Sequence, residues 1–135
     1  MTPARPARLL PTVLVLAPAS GQEEMRRELG PVPCALVVAA SSPAAASALR
    51  AAPVEAAVVS AEAPAGWIDA LLGAIEETRP GIPVLAVRAR HAEEPPGWRA
   101  RGVGVLRQPL LPEALARSVR ALLGLTAHAA PGGRT

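Results

Sequence analysis

Val54-Glu55-Ala56-Ala57-Val58-Val59-Ser60-Ala61-Glu62-Ala63-Pro64 is the stretch whose reading decides the fold. A short apolar run that stops at Ser60 and gives way to Glu62, Pro64 and Gly66 has the pattern of a central strand buried on both faces, running into a loop at its carboxyl end. In an open parallel α/β sheet, ligands and chemistry gather at that end. Ser60 therefore stands where a functional residue would stand, and it is a plain serine.

Working outward, the same pattern recurs on both sides. Residues 12–16, Thr-Val-Leu-Val-Leu, read as a first strand buried on both faces, and 34–39 as a second. Residues 82–87 read as the fourth strand and 102–106 as the fifth. Between them fall helical segments. Ser20 is placed to cap a helix running to Leu29, with Met25 and Leu29 inward and Glu23 and Arg27 at i,i+4 spacing. Ser41-Ser42-Pro43 starts an Ala-rich helix that runs through Arg50. Gly66 and Trp67 open an amphipathic helix with Ile68, Leu71, Leu72 and Ile75 inward and Asp69, Glu76 and Glu77 outward, stopped by Arg79-Pro80-Gly81. Pro112 opens the last helix, with Leu111, Leu115, Val119 and Leu122 inward and Glu113, Arg117 and Arg120 outward. Between the fourth and fifth strands, Pro95-Pro96-Gly97 precludes a long helix and leaves one short turn around Trp98. Five strands alternating with helices define a doubly wound parallel sheet.

Composition narrows the function. The 135 residues suit one domain, and with Phe and Tyr absent and only two Trp the core must be aliphatic. All 14 basic residues are Arg, so no amine side chain is available for a Schiff base or for neutralising a phosphate. The bias toward Ala, Arg, Pro and Gly resembles the output of a GC-rich bacterial genome. The net charge of +3 comes from arginines interleaved with glutamates, and a nucleic-acid role draws no support beyond its sign. One cysteine, Cys34, excludes an intramolecular disulfide and a Cys-rich metal site, and two isolated histidines do not make a ligand set. The Gly-x-Gly at 102–104 precedes a strand and lacks the rest of a dinucleotide fingerprint. Residues 1–11 read as a disordered arm, 12–125 as the domain and 126–135 as a disordered tail. The apolar run from Leu9 to Leu16 is too short for a membrane span and is broken by Pro11, which places the chain in the cytoplasm.

The order of features resembles the response-regulator receiver domain of the CheY-like family, over roughly residues 12–125. Pro64 lies four residues after Ser60, as the family's proline follows its phosphorylated aspartate. Ile82-Pro83-Val84 matches the entry to the fourth strand. Gly102-Val103-Gly104-Val105-Leu106-Arg107-Gln108-Pro109 looks like the fifth strand and its Lys-Pro pair. The resemblance implies a flavodoxin-like fold with strand order 2-1-3-4-5 and a cis Gln108–Pro109 peptide, and the prolines at 95–96 leave its fourth helix shortened or irregular.

It also implies a chemistry whose residues are missing. In-line phosphoryl transfer to an aspartate requires an acid pair to hold Mg²⁺, a lysine for the phosphoryl oxygens and a hydroxyl that follows the new charge. Here Ala17 and Pro18 stand in place of the acid pair, Ser60 in place of the acceptor, Arg88 in place of the hydroxyl and Gln108 in place of the lysine. The reading is a degenerate pseudo-receiver: no catalysis, no metal or cofactor, and a regulatory role through protein–protein contact. The face formed in receivers by the fourth helix, fifth strand and last helix would carry Trp98, Arg99, Arg101, Arg107, Arg117 and Arg120 toward a protein partner or a homodimer. Trp98 has a second reading, as filler for the space left by the degraded helix. An alternative function is sensing of a small anion or a (cyclic di)nucleotide by Arg88, Arg90 and Arg107, on a rim emptied of carboxylates.

Overall fold

The computed structural model describes residues 10–124, so the expected amino-terminal arm, apart from its last residues, and the expected tail lie outside the described residues. The elements run β1 (Thr12–Leu16), α1 (Ala19–Leu29), β2 (Ala35–Ala39), α2 (Ser42–Ala51), β3 (Val54–Val59), α3 (Ala65–Thr78), β4 (Val84–Arg88), a single 3-10 turn (Arg99–Arg101), β5 (Val103–Arg107) and α4 (Ala114–Leu122). The strands form one sheet in the order β2-β1-β3-β4-β5, and every neighbouring pair is parallel. This is the doubly wound, flavodoxin-like arrangement. The helix between β4 and β5 is reduced to the 3-10 turn, as the proline pair at 95–96 dictates.

Parallel strands need helical crossovers, and these bury the sheet from both sides. The alternation of side chains along each strand divides the core in two. On one face Leu14, Leu16, Ala57, Val59, Val84, Ala86 and Val103 pack against α2, α3 and Trp98. On the other, Val13, Val15, Val58, Leu85 and Val87 pack against Met25 and Leu29 of α1 and Leu115, Ala116 and Val119 of α4. The central strand β3 is buried from Ala56 onward.

Local chemistry sets the helix starts, with differences from the sequence expectation. The Ser41 hydroxyl caps α2 by accepting from the Ala44 N–H at 3.3 Å. α1 begins at Ala19, with Pro18 at its N-cap and no side-chain cap. Ser20 thus sits inside the first turn: the proline already gives the extended backbone from which the helix springs, so a capping hydroxyl is displaced from its position. α3 begins at Ala65 in the same way, after Pro64. α4 starts later than Pro112 because Glu113 adopts a left-handed conformation, φ 64°. That turn throws Leu111 outward, where it is 73% exposed, and Leu122 is likewise exposed near the other end of the helix. Both were expected in the core; only Leu115 and Val119 of that set are.

Candidate functional site: the carboxyl rim of the sheet

Four strand ends converge on one rim. Ala17 follows β1, and its N–H reaches the Ala39 carbonyl at 2.9 Å, extending the ladder with β2. Ser60 follows β3 and donates its N–H to the Leu16 carbonyl at 2.9 Å. Arg88 closes β4, and Gln108, just past β5, donates its N–H to the Arg88 carbonyl at 2.9 Å. The residues singled out from sequence, Ala17, Pro18, Ser60, Arg88 and Gln108, are therefore all placed around this rim.

The rim is filled rather than open. Ser60 is only 3% exposed. Its hydroxyl oxygen accepts from the Glu62 N–H at 3.0 Å, and its carbonyl accepts from the Ala63 N–H at 3.0 Å. The serine thus organises the turn that leads to α3, the local hydroxyl-to-backbone bonding that favours serine in turns. Against it lies the first turn of α1, at Gly21. A Cβ added there would fall 2.5 Å from the Ser60 hydroxyl oxygen and 2.9 Å from Cγ of Glu62. Only glycine admits so close an approach of helix to loop. The Gln22 side-chain amide donates to the Ala17 carbonyl at 3.0 Å, fixing the same turn. Glu62 is exposed on the loop, and among the described residues no group of three or more His, Cys, Asp or Glu is placed to hold a metal ion.

The arginines go separate ways. The Arg88 guanidinium lies over the Trp98 ring, 5.4 Å from its centroid, a cation–π contact. Arg107 curls back to donate to the carbonyls of Ala89 and Ala92. Arg90 lines a cleft of about 510 Å³ with Glu24, Glu28, Gln108, Pro109 and Leu110. Of the three cations expected to form one anion-binding rim, Arg88 is engaged by an indole and Arg107 by backbone carbonyls, while Arg90 lines a cleft that it shares with Glu24 and Glu28. Glu24 and Glu28 were missed from sequence, although their i,i+4 spacing on the polar side of α1 was a usable signal. The Gln108–Pro109 peptide is cis.

On the neighbouring face the expected partner residues also resolve. Trp98 is 1% exposed. Its indole N–H donates to Asp69 of α3 at 3.0 Å, and its carbonyl accepts the Val103 N–H at 3.0 Å. Trp98 is thus a core residue that fills the space of the missing helix, and it is unavailable as a contact anchor. Arg101 pairs with Glu76 at 3.0 Å, Arg117 donates to the Pro112 carbonyl at 3.4 Å, and Arg120 to the Pro31 carbonyl at 2.9 Å. Arg99 has an 87% exposed side chain and only a 3.8 Å approach to Glu94.

No protein-family model matches the chain, and no curated protein matches it in sequence. Its backbone, however, is similar to solved receiver domains. A response regulator receiver protein from Sinorhizobium medicae WSM419 superposes with a TM-score of 0.66 at 19% identity, covering 85% of this chain and 95% of that one. A signal receiver domain of an HD domain-containing protein from Pseudomonas fluorescens Pf-5 gives 0.69 at 18%, covering 88% and 98%. A CheY-like receiver domain protein from Methanospirillum hungatei JF-1 gives 0.70 at 15%, covering 88% and 98%. The chain has the receiver fold. Among the described residues no helix is long and apolar enough to cross a membrane.

Proposed function

We propose that this protein is a receiver-fold signalling module of the bacterial cytoplasm that is not phosphorylated, catalyses nothing and acts through protein–protein contact. The observation that carries the reading is the closed rim: Ser60 is buried, its oxygen occupied by the Glu62 N–H, with Gly21 packed against it. Phosphoryl transfer needs an accessible nucleophile, a metal to bridge the transferring oxygens and a counter-charge at the acceptor. Ala17, Pro18 and Gln108 supply neither of the last two. A serine hydroxyl without an adjacent base stays protonated at neutral pH and is a weak nucleophile. What remains for selection to act on is surface, and the face beside the 3-10 turn, β5 and α4 carries Arg99, Arg101, Arg107, Arg117 and Arg120.

The test is incubation with acetyl phosphate, and separately with beryllofluoride, in the presence of Mg²⁺. The expected result is an unchanged intact mass and an unchanged amide spectrum. A gain of one phosphate, or Mg²⁺-dependent spectral changes around Ser60, would overturn the proposal.

A further inference from the structure

β5 is an edge strand, paired only with β4. The Gly102 carbonyl accepts from the Val84 N–H, and the Gln108 N–H donates to the Arg88 carbonyl. Peptide groups of successive strand residues point to alternate sides, so Gly104 and Leu106 also face β4, opposite Leu85 and Val87. The peptide groups of Val103, Val105 and Arg107 face the open edge, while the two valine side chains pack on the core. The Val103 N–H is already donated to the Trp98 carbonyl. That leaves the Val103 carbonyl, both Val105 groups and the Arg107 N–H and carbonyl without backbone partners among the described residues.

Edge strands are ordinarily blunted by proline, lysine, a bulge or a covering element. β5 reads Val-Gly-Val-Leu-Arg, with neither proline nor lysine, and pairs with β4 in unbroken register. The helix that would shoulder it has shrunk to the 3-10 turn. A groove of about 380 Å³, lined by Glu94, Arg99, Val103, Gly104, Val105 and Arg107, runs beside it. Arg107 is drawn back onto Ala89 and Ala92 and does not stand across the edge.

We propose that β5 of one molecule pairs antiparallel with β5 of a second copy about a two-fold axis at Val105, extending the sheet across the dimer. The proposal rests on reading this face as the contact surface, and it names the partner and the mode. In that register every outward group except the Arg107 carbonyl finds a mate. The two Val105 residues exchange N–H and carbonyl. On either side the Arg107 N–H of one copy donates to the Val103 carbonyl of the other. The Val103 N–H takes no part because Trp98 already holds it, and the Arg107 carbonyl that would have faced it stays open to water at the end of the seam. An edge is complementary to itself in this way with no matched partner sequence, as an isologous contact requires. The chain's net charge of +3 is small, so the repulsion between two copies is modest and screened by salt.

The experiment is residue-resolved amide exchange on the full chain across protein concentration, with sedimentation of wild type, Val105→Pro and Val105→Lys. Protection of the Val105 and Arg107 amides should rise about tenfold or more with concentration, by mass action, while Gly104 and Leu106 stay constant. Val105→Pro deletes an outward N–H and leaves the β4 ladder whole; Val105→Lys keeps the backbone and puts a charge on the half-buried side of β5 next to the seam. Both should sediment as monomers where wild type is dimeric, and if the proline variant fails to fold the lysine variant carries the comparison. A wild type that stays monomeric to millimolar concentration overturns the pairing. So does a dimer that survives both substitutions, which would leave the contact face itself standing. Phosphorylation in the test above would instead remove the functional reading, whatever the oligomeric state.

Discussion

Replacing Gly21 by alanine tests whether the rim is packed shut. In an exposed helix the change would stabilise by up to about 1 kcal/mol, because alanine is the better helix former. Here the new methyl would sit 2.5 Å from the Ser60 oxygen and 2.9 Å from Glu62 Cγ, both inside the closest contact a real Cβ makes. Glu62 is exposed and can swing aside. Ser60 is buried, and turning its hydroxyl away breaks the bond from the Glu62 N–H. Overpacking of this kind costs about 1–3 kcal/mol, and the lost hydrogen bond about 1 kcal/mol more. Set against the propensity gain, the net is a destabilisation of about 1–3 kcal/mol, a fall in Tm of about 4–12 °C for a domain of this size. Urea unfolding of wild type, Gly21→Ala, Ser60→Ala and the double variant measures it. Removing the oxygen should relieve the clash, so the double variant should be more stable than the sum of the singles by about 1 kcal/mol or more. A Gly21→Ala protein as stable as wild type, with additive cycle energies, would refute the closed rim.

Other outcomes follow from the packing of Trp98 and Cys34. Trp98→Ala should cost about 3–5 kcal/mol, as loss of a buried indole does, whereas Trp98→Phe should cost less because the Asp69 acceptor it abandons is exposed; chemical denaturation distinguishes the two. Burial raises the Cys34 thiol above its ordinary pKa of 9.0. The folded state therefore holds its proton to higher pH than the unfolded chain, and this contribution to stability is full below the ordinary thiol range and lost as pH rises from there through the raised folded value. Cys34→Ser should flatten the alkaline limb of the stability profile, and alkylation of the native thiol should be slow at neutral pH.

The sheet was legible in the sequence because each strand is a short apolar run closed by a turn-forming residue, while its strand order was implied by the resemblance to receiver domains. The rim positions were legible for the same reason: strand ends fix Ala17, Ser60, Arg88 and Gln108 without any side-chain geometry. What could not be read depends on contacts between distant residues. Nothing near Trp98 in the chain shows that its N–H will find Asp69, 29 residues away. Nothing around Gly21 announces that a loop from β3 will close on it. The anion-binding reading counted arginines on a rim, but a guanidinium on a long stem can turn back, as Arg107 does onto its own loop. Leu111 was misplaced because the left-handed turn at Glu113 offsets the start of α4, a conformation that glutamate seldom adopts and propensity does not flag.

The absence of Phe and Tyr leaves the near-ultraviolet signal of the molecule to Trp67 and Trp98. One indole is half-buried at the head of α3, and the other is sealed beneath a guanidinium and tethered to that same helix. Their emission colours should therefore differ, and an aqueous quencher should dim Trp67 first. Loosening of the segment that joins β4 to β5 would then be visible as a red shift, with no dye attached.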